Sequence, residues 1–456
     1  MSEAVKEWIS DEFKTLDFKS KRLEKRFMKA MSDISEQPDK SIWLASGSRS
    51  NAKAVYRMIG NEKCEKTKIL SAHHDAMGER TESAVMLAIQ DTMSVNYSTH
   101  TKTEGLGYNC EKKTLGVNVH SSLGVSPEGI TIGILAQSVS TRFGTKDTQT
   151  KEQRRRRPIE EKESYCWLEA MKTATENTPE NVKLIHIADR EGDIYELYAL
   201  AERTGEKFIV RTTSHNRMTT DGEKTLDVLR ETSAVGVDNV IVPANHATKT
   251  KEREAVLAIR YKIFDVRKPV ILNPNKELET SLNLTLISLT EENPPDGIEP
   301  IEWLLMTNLC IESAADAILA ARYYKQRWKI ERFHFVLKSG CEIEKIQQRS
   351  VDGIELLIFM YSIIAIHIMM LTYTARNFPD TPCSLLFGEI EWKTLFRAAN
   401  KTTESPNSPY SMVDALRYVA KLGGFGGAPS DGEPGLKVIW TGLNALFLLN
   451  AYRDFI

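Results

Sequence analysis

The chain has 456 residues, 41% of them hydrophobic, and a formal net charge of −2, which is the composition of an ordinary water-soluble protein. This near-neutral balance excludes a globally basic nucleic-acid binder, so any such binding must come from local patches of charge. The six cysteines are scattered without a close pair, which argues against a zinc site or a disulfide framework and fits a reducing cytoplasm.

One apolar run has to be weighed as a membrane span. It covers residues 356–371, LLIFMYSIIAIHIMML, and is interrupted by Ser362 and His367. A span needs roughly 20 apolar residues, and this run is shorter. The charged N-terminal segment also lacks the apolar core of a secretory signal. We therefore expect a buried core helix, no membrane attachment and a cytoplasmic protein.

The N-terminal segment is locally basic. Residues 1–60 carry 12 Lys or Arg against 9 Asp or Glu and predict a small helical domain that ends near residue 70. In FKSKRLEKRFMKAM the basic residues recur on successive turns of one helix, a stripe suited to a phosphate backbone. A merely solvated face remains the alternative. The stripe consists of Lys21, Arg22, Lys25, Arg26 and Lys29.

Strand-forming segments begin at Ala84. The segments VMLAIQDTMSVNY, TLGVNVHSSLGVS and ITIGILAQSVS predict three antiparallel strands joined by tight turns, with Asp91 in the middle of the first. A polar loop follows and contains the run Arg154 to Arg157. That run is either a solvated loop or a contact for a polyanion.

A strand–helix–strand unit follows a predicted helix from Tyr165 to Thr175. Its sequence is VKLIHIADREGDIYELYALAERTGEKFIVR. Asp189 falls at the carboxyl end of the first strand, where open α/β sheets place their chemistry, and Asp193 could cap the helix. Residues from about 215 to 300 predict a mostly β insertion, and the strand IEWLLMTN precedes a long helix that begins at Ala314.

The end of that helix, YKQRWKIERFHFVLK, has one apolar face and one charged face if it continues to Lys338. Residues 321–338 contain six Lys or Arg and a single acid, Glu331. Such a carboxylate is either a structural ion-pair partner or a metal ligand beside bound phosphates. Trp328 lies to the side of the charged sector, which predicts a core position.

Three carboxylates from two strands and one helix now stand out: Asp91, Asp189 and Glu331. Such a set can hold two divalent cations, which activate an attacking oxygen and stabilise a leaving oxygen in phosphodiester transfer. Carboxylate oxygens are hard ligands, and no His or Cys cluster competes with them. Mg²⁺ or Mn²⁺ is therefore the expected metal.

The chain resembles the DDE transposases of the insertion-sequence-four family, which includes the transposon-five cut-and-paste transposase. The family motif Tyr-x2-Arg-x3-Glu-x6-Lys is matched without a gap by Tyr324, Arg327, Glu331 and Lys338. LAIQDTMSVNY and IADREGDIYE match the surroundings of the two family aspartates, and NPPDGIEPIEWLLMTN matches the approach to the motif. YVAKLGGFGG resembles part of the C-terminal region, so the similarity covers nearly the whole chain.

The resemblance implies an α/β fold with an RNase H-like catalytic core, in which a mixed sheet is flanked by helices. The core would span residues 71–372 and be interrupted by the β insertion at about 215–300. A helical DNA-binding domain would occupy residues 1–70, and a helical dimerisation domain residues 373–456.

The resemblance also implies roles for side chains. The catalytic metal ligands would be Asp91, Asp189 and Glu331. Phosphates beside the scissile bond would be held by a hydroxyl donor, a planar fork and a point charge, namely Tyr324, Arg327 and Lys338. Trp303 would stack a flipped base when the DNA end closes into a hairpin, unless it is simply a half-buried strand tryptophan. Thr92 and Arg211 are neighbouring candidates for DNA contact.

The implied function is cut-and-paste transposition of double-stranded DNA, with transposon terminal repeats and target DNA as substrates. A homodimer would form in the synaptic complex, in the cytoplasm and at the nucleoid of a bacterium. The apolar segment from Val438 to Phe455 would be the dimer surface, unless it completes a helical core. The rival functions are a catalytically silent end-binding protein or regulator, and a general RNase H-like nuclease that would not need the terminal domains. The arginine run and His334 have no assigned role.

Overall fold

The computed structural model describes residues 3–108, 114–141, 150, 153, 156–212, 217–242, 252–272, 277–428 and 431–452, with side chains from Trp8 to Asn450. Its N-terminal part is helical: α1 (Glu3–Glu12), α2 (Lys21–Glu36), α3 (Ile42–Ala45), α4 (Arg49–Ile59) and α5 (Lys66–Glu79). Serine side chains cap α3 and α4, because Ser41 and Ser48 accept hydrogen bonds from the backbone N–H groups of Leu44 and Asn51.

The described strands form one mixed sheet. They are β1 (Val85–Asn96), β2 (Gly107–Tyr108), β3 (Leu115–Val125), β4 (Thr131–Ser140), β5 (Lys183–Ala188), β6 (Lys207–Arg211), β7 (Gly236–Val242), β8 (Arg253–Arg267), β9 (Ser281–Glu291) and β10 (Glu302–Thr307). Their order is β2-β3-β1-β5-β6-β10-β9-β8-β7, and β4 pairs with β3. The predicted antiparallel trio is confirmed as β1, β3 and β4. The tight turn expected between the first two is wrong, because residues 97–114 connect β1 to β3 and include β2, whereas β3 and β4 are joined by the short segment 126–130.

Parallel pairing occurs at the centre of the sheet, where β5 lies between β1 and β6. The helix α6 (Tyr165–Glu176) precedes this unit, and α7 (Tyr195–Thr204) connects β5 to β6. Both helices pack on one face of the sheet, with Trp167 and Tyr198 in the same core cluster as Phe208 of β6. The predicted helix, strand–helix–strand unit and position of Asp189 after β5 are therefore confirmed.

The insertion between β6 and β10 is mostly β, as predicted, and includes the short helix α8 (Thr225–Arg230). Its strands β7, β8 and β9 are antiparallel and join the central sheet where β9 pairs with β10. The insertion therefore extends the catalytic sheet instead of forming a separate one. The mixed sheet with helices on both faces is consistent with an RNase H-like core.

The predicted single helix over the motif is wrong. The structure has α9 (Ala314–Lys325), α10 (Trp328–Phe335) and a π-helical turn at Val336–Gly340. Around the junction of α9 and α10, four backbone N–H groups bond to the carbonyl three residues earlier, those of residues 326, 327, 329 and 330. One of these bonds joins the Arg327 N–H to the Tyr324 carbonyl at 2.9 Å. At three residues per turn, positions i and i+3 eclipse, which aligns Tyr324 with Arg327.

The apolar run that we weighed as a membrane span belongs to α11 (Val351–Asn377). It is the one helix of the described residues that is long and apolar enough to cross a membrane, and 83% of its apolar window is buried inside the protein. Ser350 caps it by accepting a bond from the Gly353 N–H at 3.3 Å. The expectation of a buried core helix is confirmed.

The C-terminal region is helical, with α12 (Glu389–Asn400), α13 (Met412–Leu422) and α14 (Leu436–Tyr452). Ile439, Leu443 and Leu446 of α14 are buried in the main core cluster. Leu448, by contrast, is 48% exposed. The apolar C-terminal segment thus completes a helical core along one side, and part of its other side faces solvent.

Candidate active site

Two aspartates lie side by side on neighbouring parallel strands. Ile89 of β1 pairs with Ile187 of β5, and Asp91 and Asp189 each follow two residues later. Adjacent strands are about 4.8 Å apart, so the two carboxylates occupy the same level of the sheet. Asp189 is held at the strand end because its Oδ1 accepts the Glu191 N–H at 2.8 Å.

The Asp91 carboxyl is electrostatically unfavourable as an anion. Burial, and then the charge of Asp189, raise its pKa from an ordinary 3.8 to about 7. The Thr92 N–H, which donates to Asp91 Oδ1 at 2.7 Å, and the Arg327 guanidinium act in the opposite direction. Glu191, which the sequence analysis missed, adds a further negative charge nearby.

Glu331 reaches this site on α10, which packs against β1. Arg327 donates from Nη2 to Glu331 Oε1 at 2.7 Å, and the two side chains are 10% and 37% exposed. The charge of Arg327 therefore acts on both carboxylates, since it also lowers the pKa of Asp91. Of the two interpretations of Glu331, the structure shows the ion pair.

A divalent cation fits the two aspartates but not all three carboxylates as they stand. Among the described residues, no three His, Cys, Asp or Glu side chains are grouped closely enough to hold a metal ion together. Mutual repulsion of Asp91 and Asp189 is what a cation between them would relieve. Glu331 would have to leave Arg327 before it could join them.

The other motif side chains surround the acids. Tyr324 is 5% exposed, and this burial raises the pKa of its hydroxyl. The charges of Arg327 and Arg211 lower that pKa, and the charge of Asp189 raises it. Val210 of β6 pairs with Ala188 of β5, so the residues that follow them, Arg211 and Asp189, lie level with each other. The structure thus brings Tyr324, Arg327 and Arg211 to the aspartate pair.

Lys338 lies farther along, in the π-helical turn, where its Nζ is 3.9 Å from Glu344. His334, one turn earlier, has a pKa lowered to about 3, first by burial and then by Lys338, so it is neutral at physiological pH. Its Nε2 has no hydrogen-bond partner in the described part of the chain. No role for His334 emerges.

Trp303 and Thr92 face opposite sides of the sheet. Trp303 is half-buried on β10 and points to the same face of the sheet as Leu305, two residues later. Leu305 pairs with Arg211, so Trp303 lies on the face that carries Asp91. The Thr92 hydroxyl points to the other face and bonds to His120 Nδ1 at 2.8 Å. Only the Thr92 backbone therefore reaches the site.

The expectation that Trp328 is a core residue is wrong. Its side chain is 58% exposed, and the Arg327 guanidinium lies 5.4 Å from its ring centroid. The turn between α9 and α10 rotates this position outward relative to a continuous helix. Periodicity at 100° per residue does not foresee this rotation.

A buried ionic cluster beside Asp189 was also missed. Asp193 does not cap α7, which begins after Ile194; it forms a buried ion pair with Arg217. The hydroxyls of Tyr198 and Thr212 donate to Asp193 at 2.8 and 2.5 Å. The cluster ties the turn after β5 to the end of β6, where Arg211 lies. Arg217 is distant in sequence from Asp193, and no local pattern indicates the pair.

The basic stripe lies on the solvent side of α2, because Leu23, Phe27 and Ala30 face the core. Arg22, Lys25, Arg26 and Lys29 line a groove of about 780 Å³ with Arg57 of α4. Lys21 is paired with Glu24 at 3.0 Å and Lys29 with Asp33 at 2.9 Å. No acid lies within ion-pair distance of Arg22, Lys25 or Arg26 among the described residues. In the arginine run, Arg154 and Arg155 lie outside the described residues.

Three family models match the chain. A transposase DNA-binding model matches residues 5–64, a transposase DDE domain model residues 98–367, and a transposase Tn5 dimerisation domain model residues 363–453. The DDE match covers more than half of the chain and includes Asp189 and Glu331, but it begins after Asp91, whose place beside Asp189 comes from the sheet register. DDE transposases generally depend on divalent metal ions. The chain belongs to the DDE transposases of the Tn5 type, with a DNA-binding and a dimerisation region on either side of the DDE domain.

Proposed function

We propose that this transposase carries out cut-and-paste transposition through Asp91, Asp189 and Glu331. Water attacks a phosphodiester bond at the transposon end and frees a 3′-hydroxyl. That hydroxyl attacks the opposite strand to give a hairpin, water reopens the hairpin, and the 3′-hydroxyl finally attacks target DNA. The observation that carries the proposal is the meeting of Asp91, Asp189, Arg327 and Tyr324 at one edge of the sheet.

The residues that would hold one or two Mg²⁺ or Mn²⁺ ions are Asp91, Asp189 and Glu331. When bound, the cations supply Lewis-acid activation of the attacking and leaving oxygens. Thr92 holds one Asp91 oxygen through its N–H, which leaves the other oxygen free to ligate. Protonation of Asp91 would block this, so the site should favour cations at a pH above about 7.

Arg327 is suited to exchange partners when DNA arrives. Its planar guanidinium binds phosphate as readily as carboxylate, and here it is bonded to Glu331. In this proposal Arg327, Tyr324 and Lys338 bind the phosphate beside the scissile bond. The Glu331 carboxylate then turns towards the two aspartates. The catalytic carboxylates would then assemble only on substrate.

Trp303 and Arg211 would act on the DNA at the same edge of the sheet. Trp303 lies on the face that carries Asp91, and its indole is a platform for an unstacked base when the end closes into a hairpin. Arg211 is level with Asp189 and would contact a neighbouring phosphate. Thr92 would contribute through its backbone, because its hydroxyl is bonded to His120.

The assembly would be a homodimer that holds two transposon ends in the cytoplasm, at the nucleoid. The DNA-binding match at residues 5–64 and the dimerisation match at 363–453 support a dimer on DNA. The exposed part of α14 around Leu448 would lie in the subunit contact. Domain limits of 1–70, 71–372 and 373–456 remain our working division of the chain.

One gel separates this function from its rivals. The purified protein is incubated with a duplex that carries its terminal repeat, with and without Mg²⁺, and the products are resolved under denaturing conditions. Hairpin ends of twice the strand length support cut-and-paste transposition. Nicks without hairpins would indicate a general nuclease, and binding without any cleavage would indicate a silent end-binding protein.

Neutralising the α2 stripe should weaken end binding without changing the active site. The triple change of Arg22, Lys25 and Arg26 to Gln removes three phosphate contacts, and the slope of log K against log salt should fall by about 2–3. Affinity at 0.15 M salt should drop at least about tenfold, as measured by fluorescence anisotropy. The control replaces the exposed Lys401, Lys421 and Lys437 of the C-terminal region, for an equal change in charge. Equal slopes for the two triple variants would contradict the assignment.

The charge on Asp91 should also be visible in thermal unfolding. Its pKa is about 7 in the folded protein and near 3.8 when unfolded, so the native state holds its proton more tightly and loses stability as pH rises from about 4 to about 7. Without metal, Asp91→Asn should therefore raise Tm at pH 8 by about 1–3 °C, and by less at pH 5. Mg²⁺ should raise the Tm of the wild type at pH 8 but not that of the variant. A Mg²⁺ response of the variant equal to that of the wild type would count against Asp91 as a ligand.

A further inference from the structure

The row of polar side chains that begins with the two aspartates continues across the sheet. Asp91 of β1 is the antiparallel partner of Ser121 of β3, and Ser121 is in turn the partner of Gln137 of β4. Directly opposed residues of antiparallel strands point to the same face, with Cβ atoms about 4.5–5.5 Å apart. Ser121 is therefore the neighbour of Asp91 on the side away from Asp189.

Ser121 belongs to a buried hydrogen-bonded group. Gln137 Nε2 donates to Ser121 Oγ at 3.0 Å and to Ser362 Oγ of α11 at 3.0 Å. Ser121 and Ser362 are fully buried, and Gln137 is 8% exposed. Buried polar groups are costly unless they are paired, and an apolar set would fill the same space at lower cost.

The chemistry of this group decides the direction of its bonds. The Ser362 hydroxyl has one hydrogen and two acceptors in reach, the Ile358 carbonyl at 2.8 Å and Gln137 Oε1 at 3.4 Å. The hydrogen goes to the closer Ile358 carbonyl, so towards Gln137 Nε2 at 3.0 Å the hydroxyl acts as an acceptor. The amide of Gln137 must therefore present its NH₂ to the serines. Ser121 then receives one of those N–H groups, and its own hydrogen is left without an acceptor among the described residues.

We propose that Ser121 is a positioning residue that donates this hydrogen to the Asp91 carboxylate when the site binds metal and DNA. The Thr92 N–H already holds one oxygen of Asp91 from within β1. A second donor from β3 would fix the plane of the carboxylate, as outer partners of metal ligands do. This inference rests on the proposed role of Asp91 and adds a residue that the motif does not contain.

The next residue of the same strand supplies a matched control. Ser122 is also fully buried, but it points to the opposite face of the sheet, and its hydroxyl has no hydrogen-bond partner within the described part of the chain. Ser121→Ala and Ser122→Ala remove the same atom from the same strand. They differ in which face of the sheet loses it.

The test uses the full-length protein with its terminal-repeat duplex. Binding of Mn²⁺ to the complex is followed by the electron paramagnetic resonance signal of free Mn²⁺, and cleavage is followed as a function of Mg²⁺ concentration. Ser121→Ala should raise the Mn²⁺ midpoint about tenfold and slow cleavage at low Mg²⁺ by a similar factor. End binding and Tm should stay close to those of Ser122→Ala, which should bind Mn²⁺ like the wild type.

A second variant keeps the proposal falsifiable if Ser121→Ala folds poorly. Gln137→Met preserves volume, removes the donor that orients Ser121, and should shift the Mn²⁺ midpoint in the same direction. In the double variant the shift of the Mn²⁺ midpoint should be much smaller than the sum of the two single shifts, because both changes act through one hydroxyl. Equal Mn²⁺ midpoints for Ser121→Ala and Ser122→Ala would overturn the proposal. Absence of cleavage by the wild type would instead contradict the proposed function. The Mn²⁺ midpoints would still test whether Ser121 positions Asp91.

Discussion

Replacing Asp91 with Asn is expected to abolish DNA cleavage while leaving end binding within about twofold of the wild type. The amide keeps the size of the side chain and removes the charge that a divalent cation needs. A loss of about 4 kcal/mol of transition-state stabilisation corresponds to about a thousandfold in rate. Glu331→Gln should behave in the same way. Cleavage is measured by single-turnover kinetics on a labelled terminal-repeat duplex, and binding by gel shift.

The control for this experiment is Glu191→Gln. Glu191 is exposed and close to Asp189. Its replacement by Gln removes one negative charge from the site, as Asp91→Asn and Glu331→Gln do. Because its backbone N–H, and not its carboxylate, holds Asp189, the variant should retain cleavage within about tenfold. Full activity of Asp91→Asn or Glu331→Gln would remove the carboxylate assignment, whatever Glu191→Gln does.

Replacing Arg217 with Met is expected to cost about 3–5 kcal/mol of folding free energy, because it leaves Asp193 buried with its charge unpaired. The carboxylate would keep the two hydroxyl donors, Tyr198 and Thr212, which only partly replace a cation. Urea denaturation followed by circular dichroism measures the change. The second change Asp193→Asn should restore part of the stability, since it removes the unpaired charge.

An exposed ion pair provides the comparison. Arg230 bonds to Glu302 at 2.9 Å, and the side chains are 58% and 33% exposed. Arg230→Met should cost less than about 1 kcal/mol, because water already screens this pair. If Arg217→Met unfolded no more easily than Arg230→Met, the cluster would not be the anchor of the turn that carries Asp189.

Local patterns predicted the parts of the fold that depend on local physics. The strand that contains Asp91, the strand that leads to Asp189 and the start of α9 at Ala314 all follow from the spacing of apolar residues. The placement of Asp189 at a strand's carboxyl end could be predicted for the same reason. The juxtaposition of the two aspartates followed only once the parallel register of β1 and β5 was known.

The remaining features depend on departures from ideal geometry or on distant partners. The tightened turn before Trp328 turns that side chain to solvent, and no count at 100° per residue anticipates it. The pair of Asp193 with Arg217 and the contact of Ser121 with Gln137 join separate elements. The bond from Arg327 to Glu331 is an ordinary pairing at i and i+4, which explains why both interpretations of Glu331 stood open in sequence.

The most direct test of the carboxylate site is a structure of the protein bound to its terminal-repeat DNA with Mn²⁺, located by anomalous scattering. We expect Mn²⁺ between Asp91 and Asp189 with Glu331 as a third ligand, at oxygen distances of about 2.0–2.3 Å. Arg327 should then have left Glu331 for a DNA phosphate. A structure in which Glu331 stays bonded to Arg327 while Mn²⁺ is held without Asp91 would contradict this expectation.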